Sequence, residues 1–140
     1  MLSRYNTILF DCDGVILNSN KIKATAFFDI AIRYGNEVAQ KFHEFNTNNG
    51  GVSREKKFSY LLADILKRDE FQDELIVLLD DFQNMLKLSL FSAEITPGLH
   101  ELRKRYISKK FTVVSGGNES ELKELFGHLK INSIFDGGIF

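Results

Sequence analysis

The 140-residue sequence has one cysteine, no tryptophan and no excess of charge of either sign. A lone Cys12 excludes an intramolecular disulfide and a cysteine-rich zinc site. With 18 Lys and Arg against 19 Asp and Glu, the formal net charge is −1, so no basic surplus is available to grip a nucleic-acid backbone or an anionic membrane. The opening apolar run breaks into acids too soon for a signal peptide, and no later run approaches the roughly 18 apolar residues of a membrane span. The expectation is a cytoplasmic globular domain that engages neither nucleic acid nor membrane. What is abundant is phenylalanine, 13 residues against four tyrosines, which suits an apolar core better than a platform for stacking bases.

Along the chain, Thr7-Ile8-Leu9-Phe10 is a short run of β-formers between polar residues and reads as a buried parallel strand. Ser19 or Asn20 can cap a helix that Gly35 stops, and a second helix is expected near residues 37–45. Asn46-Thr47-Asn48-Asn49-Gly50-Gly51 reads as a loop. Ser53 caps a further helix carrying Phe58, Leu61, Leu62, Ile65 and Leu66, and another is expected over about 70–88. Thr96-Pro97-Gly98 predicts a new helix with Thr96 as N-cap, turning Leu99, Leu102 and Tyr106 inward. Phe111-Thr112-Val113-Val114 reads as a second buried strand, Asn118 as the cap of the next helix, and Ile134-Phe135 or Ile139-Phe140 as the start of a third strand. This order predicts an α/β fold: a Rossmann-like parallel sheet core of residues 1–18 and 93–140, incomplete in strands, with residues 19–92 inserted as a helical cap.

Asp11 and Asp13 stand just past the first strand, where the binding crevices of open α/β sheets lie. Two acids this close repel unless a cation or a shared proton relieves them, so the pair points to a hard divalent ion, most simply Mg²⁺. One of the two could instead act as a nucleophile beside an acid/base neighbour, and the DCDG segment also reads as a polar turn. An EF-hand loop fails, because Ile22 occupies its twelfth position, where a glutamate is needed. Ser115, Gly116 and Gly117 lie between a strand and a helix N-terminus, which suits an anion, although an ordinary glycine-containing turn has the same sequence. A hydrolase elbow would need glycine where Val113 stands. His43, His100 and His128 are scattered and read as helix-surface residues. Cys12 reads as a small buried filler, and the basic cluster of Arg103, Lys104, Arg105, Lys109 and Lys110 as a solvated helix end.

Taken together, ILFDCDGVILNS resembles the first signature of the haloacid dehalogenase-like superfamily, and FTVVSGG resembles its second. The insertion between them resembles the small helical cap of the phosphoglycolate phosphatase-like and β-phosphoglucomutase-like branch. The resemblance implies Asp11 as the nucleophile that forms an aspartyl-phosphate and Asp13 as general acid/base. It also implies that both take part in holding Mg²⁺, Asp13 through its backbone carbonyl, and that Ser115 with Gly116 binds phosphate. Having Asp13 favours phosphate chemistry over dehalogenation. In the cap, GGVSREKKF resembles a substrate-specificity segment, with Arg54 positioned to fork onto an anionic group; a solvated arginine in a first helical turn is the alternative.

The substrate implied is a small phosphorylated metabolite, a sugar phosphate being the first expectation. The family also uses a lysine after its third strand and an acidic pair after its fourth. The sequence reaches Phe140 where that third strand is due, so the resemblance implies that about a third of a full enzyme lies outside these residues and that they alone turn over little or nothing. Two further readings stay open: a phosphomutase, and a non-catalytic binding or regulatory module, as an oligomer covering the open edge of its sheet.

Overall fold

Strand β1 (Thr7–Phe10) and strand β2 (Lys110–Val113) pair in parallel, with Phe10 opposite Val113. The computed structural model describes residues 4–140. Between the strands come helices α1 (Asn20–Ala31), α2 (Asn36–Asn48), α3 (Arg54–Tyr60), α4 (Gln72–Leu90) and α5 (Leu99–Arg105), and after them α6 (Glu119–His128). The chain divides into two compact units, one holding the described residues up to Asn20 together with Leu90–Phe140, the other Lys21–Ser89.

In the α/β unit the core gathers on β2 and α6. Phe111, Val113, Phe126 and Ile131 are fully buried, and Cys12, Ile16 and Leu17 join them, so Cys12 is the buried filler its surroundings suggested. β1 differs from expectation. It is parallel but only half-buried, with Leu9 66% exposed, because it has a neighbour on one side only and nothing described covers the Leu9 face. The third strand amounts to a single parallel bridge from Ile139 to Val113, flanked by N–H donations from Val113 to Gly138 O and from Phe140 to Val113 O, both 2.9 Å. Ile134 lies instead in a 3₁₀ turn, Asn132–Ile134.

Two other sequence expectations are corrected here. Thr96 does not cap α5: its hydroxyl donates to the carbonyl of Val15, and the helix starts after Gly98, which holds the left-handed conformation at φ 84°. Tyr106 is the residue that ends α5. Arg103 is not part of a solvated helix end. It donates to Lys109 O and to Asp136 Oδ2, and its guanidinium sits 5.0 Å from the Phe111 ring centroid. Asp136 also accepts from Phe111 N–H at 3.0 Å, a bond that, foremost among its surroundings, holds the carboxyl below its ordinary range. His128 stacks on Phe91, ring centroids 4.0 Å apart.

In the helical unit, Phe27, Phe42, Phe58 and Phe82 pack as one cluster with ring centroids 4.3 to 5.8 Å apart. The expected loop at residues 46–51 is shorter, since α2 continues to Asn48. Side chains act at the helix end: Asn49 Nδ2 donates to Phe45 O, a carbonyl of the last turn that would otherwise lack a partner, and Thr47 Oγ1 adds a second donor to His43 O. Ser53 caps α3 as expected, accepting from Lys56 N–H. After Tyr60 the helix widens into one π turn, Leu61–Ile65, closed by Leu66 N–H to Leu61 O at 2.9 Å. That turn brings Leu61 and Leu62 side by side into full burial.

Phe58 sits where three other rings meet, with no exposed surface. Phe58→Ala is therefore expected to cost about 3–5 kcal/mol of unfolding free energy, read from the shift of the urea midpoint. A loss below about 1 kcal/mol would show that this cluster does not hold the unit together.

Candidate active site

The parallel register sets the site. Val114 N–H donates to Phe10 O at 2.9 Å, so Asp11, one residue beyond β1, and Ser115, two beyond β2, both leave the carboxyl edge of the sheet from adjacent strands about 4.8 Å apart. Asp11 is exposed, and its Oδ1 accepts the N–H of Cys12 at 2.8 Å. Its second oxygen has no partner among the described residues.

The chain then turns tightly. Cys12 O accepts from the N–H groups of Val15, Ile16 and Leu17 at 2.9 to 3.3 Å, and Gly14 N–H donates to Leu17 O at 2.8 Å. Gly14 has φ +74°, a conformation that favours glycine, and a Cβ there would displace the Asn20 amide, whose Nδ2 would stand 2.7 Å from it. The strap 94–96 pins the turn from outside, through Asn18 N–H to Glu94 O at 3.0 Å and Thr96 N–H to Ile16 O at 2.8 Å.

Asp13 is half-buried, and its Oδ1 accepts the hydroxyl of Ser19 at 2.6 Å. Ser19 is fully buried, which makes it a fixed donor. Sequence reading treated it only as a helix cap; the signal available was a hydroxyl six residues after an acid, across a turn that glycine closes.

On β2's side, Ser115 N–H donates to Phe140 O at 2.8 Å, and its Oγ accepts from Gly117 N–H at 3.2 Å. Gly116 is exposed beside it. Asn118 caps α6, accepting from the N–H groups of Ser120 and Glu121 at 2.9 and 3.2 Å. The α/β unit thus brings Asp11, Asp13, Ser115 and Gly116 to one edge. Arg54 lies in the other unit, as the first residue of α3. Among the described residues, no group of three or more His, Cys, Asp or Glu could hold a metal ion, so the acid pair supplies only part of a metal shell. Its hard oxygen donors do suit Mg²⁺, which keeps several waters.

A family model for haloacid dehalogenase-like hydrolases matches residues 8–138. The chain belongs to this family. Solved structures share its fold at low identity. One from Haemophilus somnus, described as a phosphoglycolate phosphatase, has a TM-score of 0.72 at 13% identity, with 100% of this chain and 64% of that one covered. One from Thermotoga maritima, described as a β-phosphoglucomutase, has a TM-score of 0.69 at 19% identity, covering 96% and 60%. The HAD-hydrolase YfnB of Bacillus subtilis, bound to magnesium, has a TM-score of 0.66 at 17% identity, covering 97% and 64%. The chain thus spans 60% to 64% of these proteins' lengths. No curated protein matches the sequence. No helix among the described residues is long and apolar enough to cross a membrane.

Proposed function

We propose that the complete haloacid dehalogenase-like hydrolase is a Mg²⁺-dependent phosphatase of small phosphorylated metabolites, a sugar phosphate first among them, working through an aspartyl-phosphate on Asp11. The observation that carries this reading is the shared edge: two acids and a Ser-Gly turn leave neighbouring parallel strands in register. The second carboxylate oxygen of Asp11 attacks phosphorus as the ester P–O bond breaks, and Asp13 gives its proton to the departing alkoxide oxygen. In the second half, Asp13 takes a proton from the water whose oxygen attacks phosphorus, and the Asp11 carboxylate is released. The Ser19 hydroxyl keeps the Asp13 carboxyl aimed. Ser115 Oγ and Gly116 N–H bind the phosphoryl oxygens.

The Asp11 carboxylate and the Asp13 backbone carbonyl would hold Mg²⁺, which when bound neutralises charge on the phosphoryl oxygens. The resemblance assigns residues 19–92 as a helical cap and residues 1–18 and 93–140 as the α/β core, and it gives Arg54 a contact with an anionic part of the substrate.

The test is phosphate release by the full gene product from a panel of phosphate monoesters. Activity is expected with Mg²⁺, to be lost in EDTA and to return when Mg²⁺ is restored. Activity unchanged by EDTA would overturn the metal assignment, and no release from any ester would favour the non-catalytic module. Transfer to a sugar hydroxyl in place of water would make the enzyme a phosphomutase.

A further inference from the structure

The two edges of β2 bond to different segments. Lys110 N–H and Val114 N–H donate to Asn6 O and Phe10 O on the β1 side. On the other side, Gly137 N–H donates to Phe111 O, Val113 N–H to Gly138 O and Phe140 N–H to Val113 O, each at 2.9 Å, and Ser115 N–H to Phe140 O at 2.8 Å. The backbone of Ser115 is therefore held by the far end of residues 137–140, and the register of that segment on β2 decides which carbonyl meets it.

The segment itself does little to set this register. Gly137 and Gly138 carry no side chains, and glycine-rich strands specify their pairing weakly. A Cβ on Gly137 would stand 3.0 Å from Phe111 O, so glycine lets the two backbones close while leaving nothing to index them. Ile139 is buried, but apolar burial is non-directional and tolerates small displacements that a hydrogen bond does not.

Asp136 supplies the directed contact. Its Oδ1 accepts Phe111 N–H at 3.0 Å, and its Oδ2 accepts from Arg103 Nη2 at 3.0 Å. Arg103 is fixed in turn: its Nη1 donates to Lys109 O at 2.6 Å, and its guanidinium lies over the Phe111 ring. Both carboxylate oxygens are thus tied to the start of β2, about 13 Å from Ser115 along four residues of strand.

We infer that Asp136, held by Arg103, is a positioning residue for the Ser115 turn: it sets the register of residues 137–140 on β2 and so seats the Phe140 carbonyl that holds Ser115 N–H. The register follows from the backbone geometry alone, and its consequence for phosphate binding rests on the proposed function.

Amide hydrogen exchange in the full gene product, followed residue by residue by NMR, separates local from global loosening. In Asp136→Ala the amides of Val113 and Ser115 are expected to exchange about tenfold faster or more, the scale of losing a hydrogen bond to a charged acceptor. Val114, bonded to Phe10 O on the opposite edge, should stay within about twofold of wild type. Equal acceleration of Val114, or none at Ser115, overturns the inference. If Asp136→Ala does not fold, Asp136→Asn decides: it keeps an oxygen for Phe111 N–H but not the anionic one that Arg103 takes. The same pattern is then expected at about threefold, and unchanged Ser115 exchange overturns it. In turnover, Asp136→Ala should raise KM for a hydrolysed ester roughly tenfold with kcat less affected. Combined with Ser115→Ala, the total loss should be smaller than the product of the two single losses, because both act on one turn; multiplicative losses overturn the link to phosphate binding. Failure of the wild-type protein to hydrolyse any ester would defeat the phosphatase reading, and the exchange pattern alone would then decide the role of Asp136.

Discussion

Replacing Asp11 with asparagine is expected to lower the phosphatase rate of the full gene product by about 10⁴-fold or more, the scale on which loss of a nucleophile is felt. The substitution is conservative for the fold. Asparagine keeps an oxygen that can accept the Cys12 N–H now held at 2.8 Å, and the side chain is exposed, so no core contact is lost. What disappears is the charged oxygen that would bond to phosphorus. Acid-quenched reactions with ³²P-labelled substrate should trap a phosphoenzyme in the wild type and none in Asp11→Asn. Retention of more than a few percent of the rate, or of the label, would remove Asp11 from the nucleophile's role.

Asp13→Asn is expected to slow turnover by about 10²–10⁴-fold, the range supplied by a positioned general acid/base. Asparagine can still accept the Ser19 hydroxyl that lies 2.6 Å from Asp13 Oδ1, so the turn closed by Gly14 stays intact and the loss is one of proton transfer. The phosphoenzyme should still form with substrates whose leaving group needs no protonation, such as p-nitrophenyl phosphate, and then persist because no base activates water. If Asp13→Asn slows aryl and alkyl phosphates equally at the first step, the acid/base assignment is wrong.

The two strands and the residues beyond them were legible in the sequence because each is dictated locally. A short β-branched and aromatic run makes β1, Asn118 caps α6 through its own side chain, and Gly14 stands where φ +74° favours glycine. Elements that depend on competing partners were not legible. Thr96 could cap a helix or bond across the chain, and the Val15 carbonyl wins. Thr47 and Asn49 look like loop residues, yet their side chains complete the end of α2. Arg103 resembled one more solvated cation in a basic cluster until Asp136, 33 residues further on, supplied its partner.

By itself, the sequence determined the family, the parallel α/β arrangement and which four residues beyond the strands carry the proposed phosphate chemistry, since these follow from local pattern and spacing. Only the tertiary structure decided that Asp11 and Ser115 leave the same sheet edge in register and that buried Ser19 fixes Asp13. Those two facts are set by which distant segments come together, and burial acquires its meaning only there: Lys56 and Lys57 are the same residue type in adjacent positions, and packing alone leaves one side chain exposed and lays the other against the Phe27 ring.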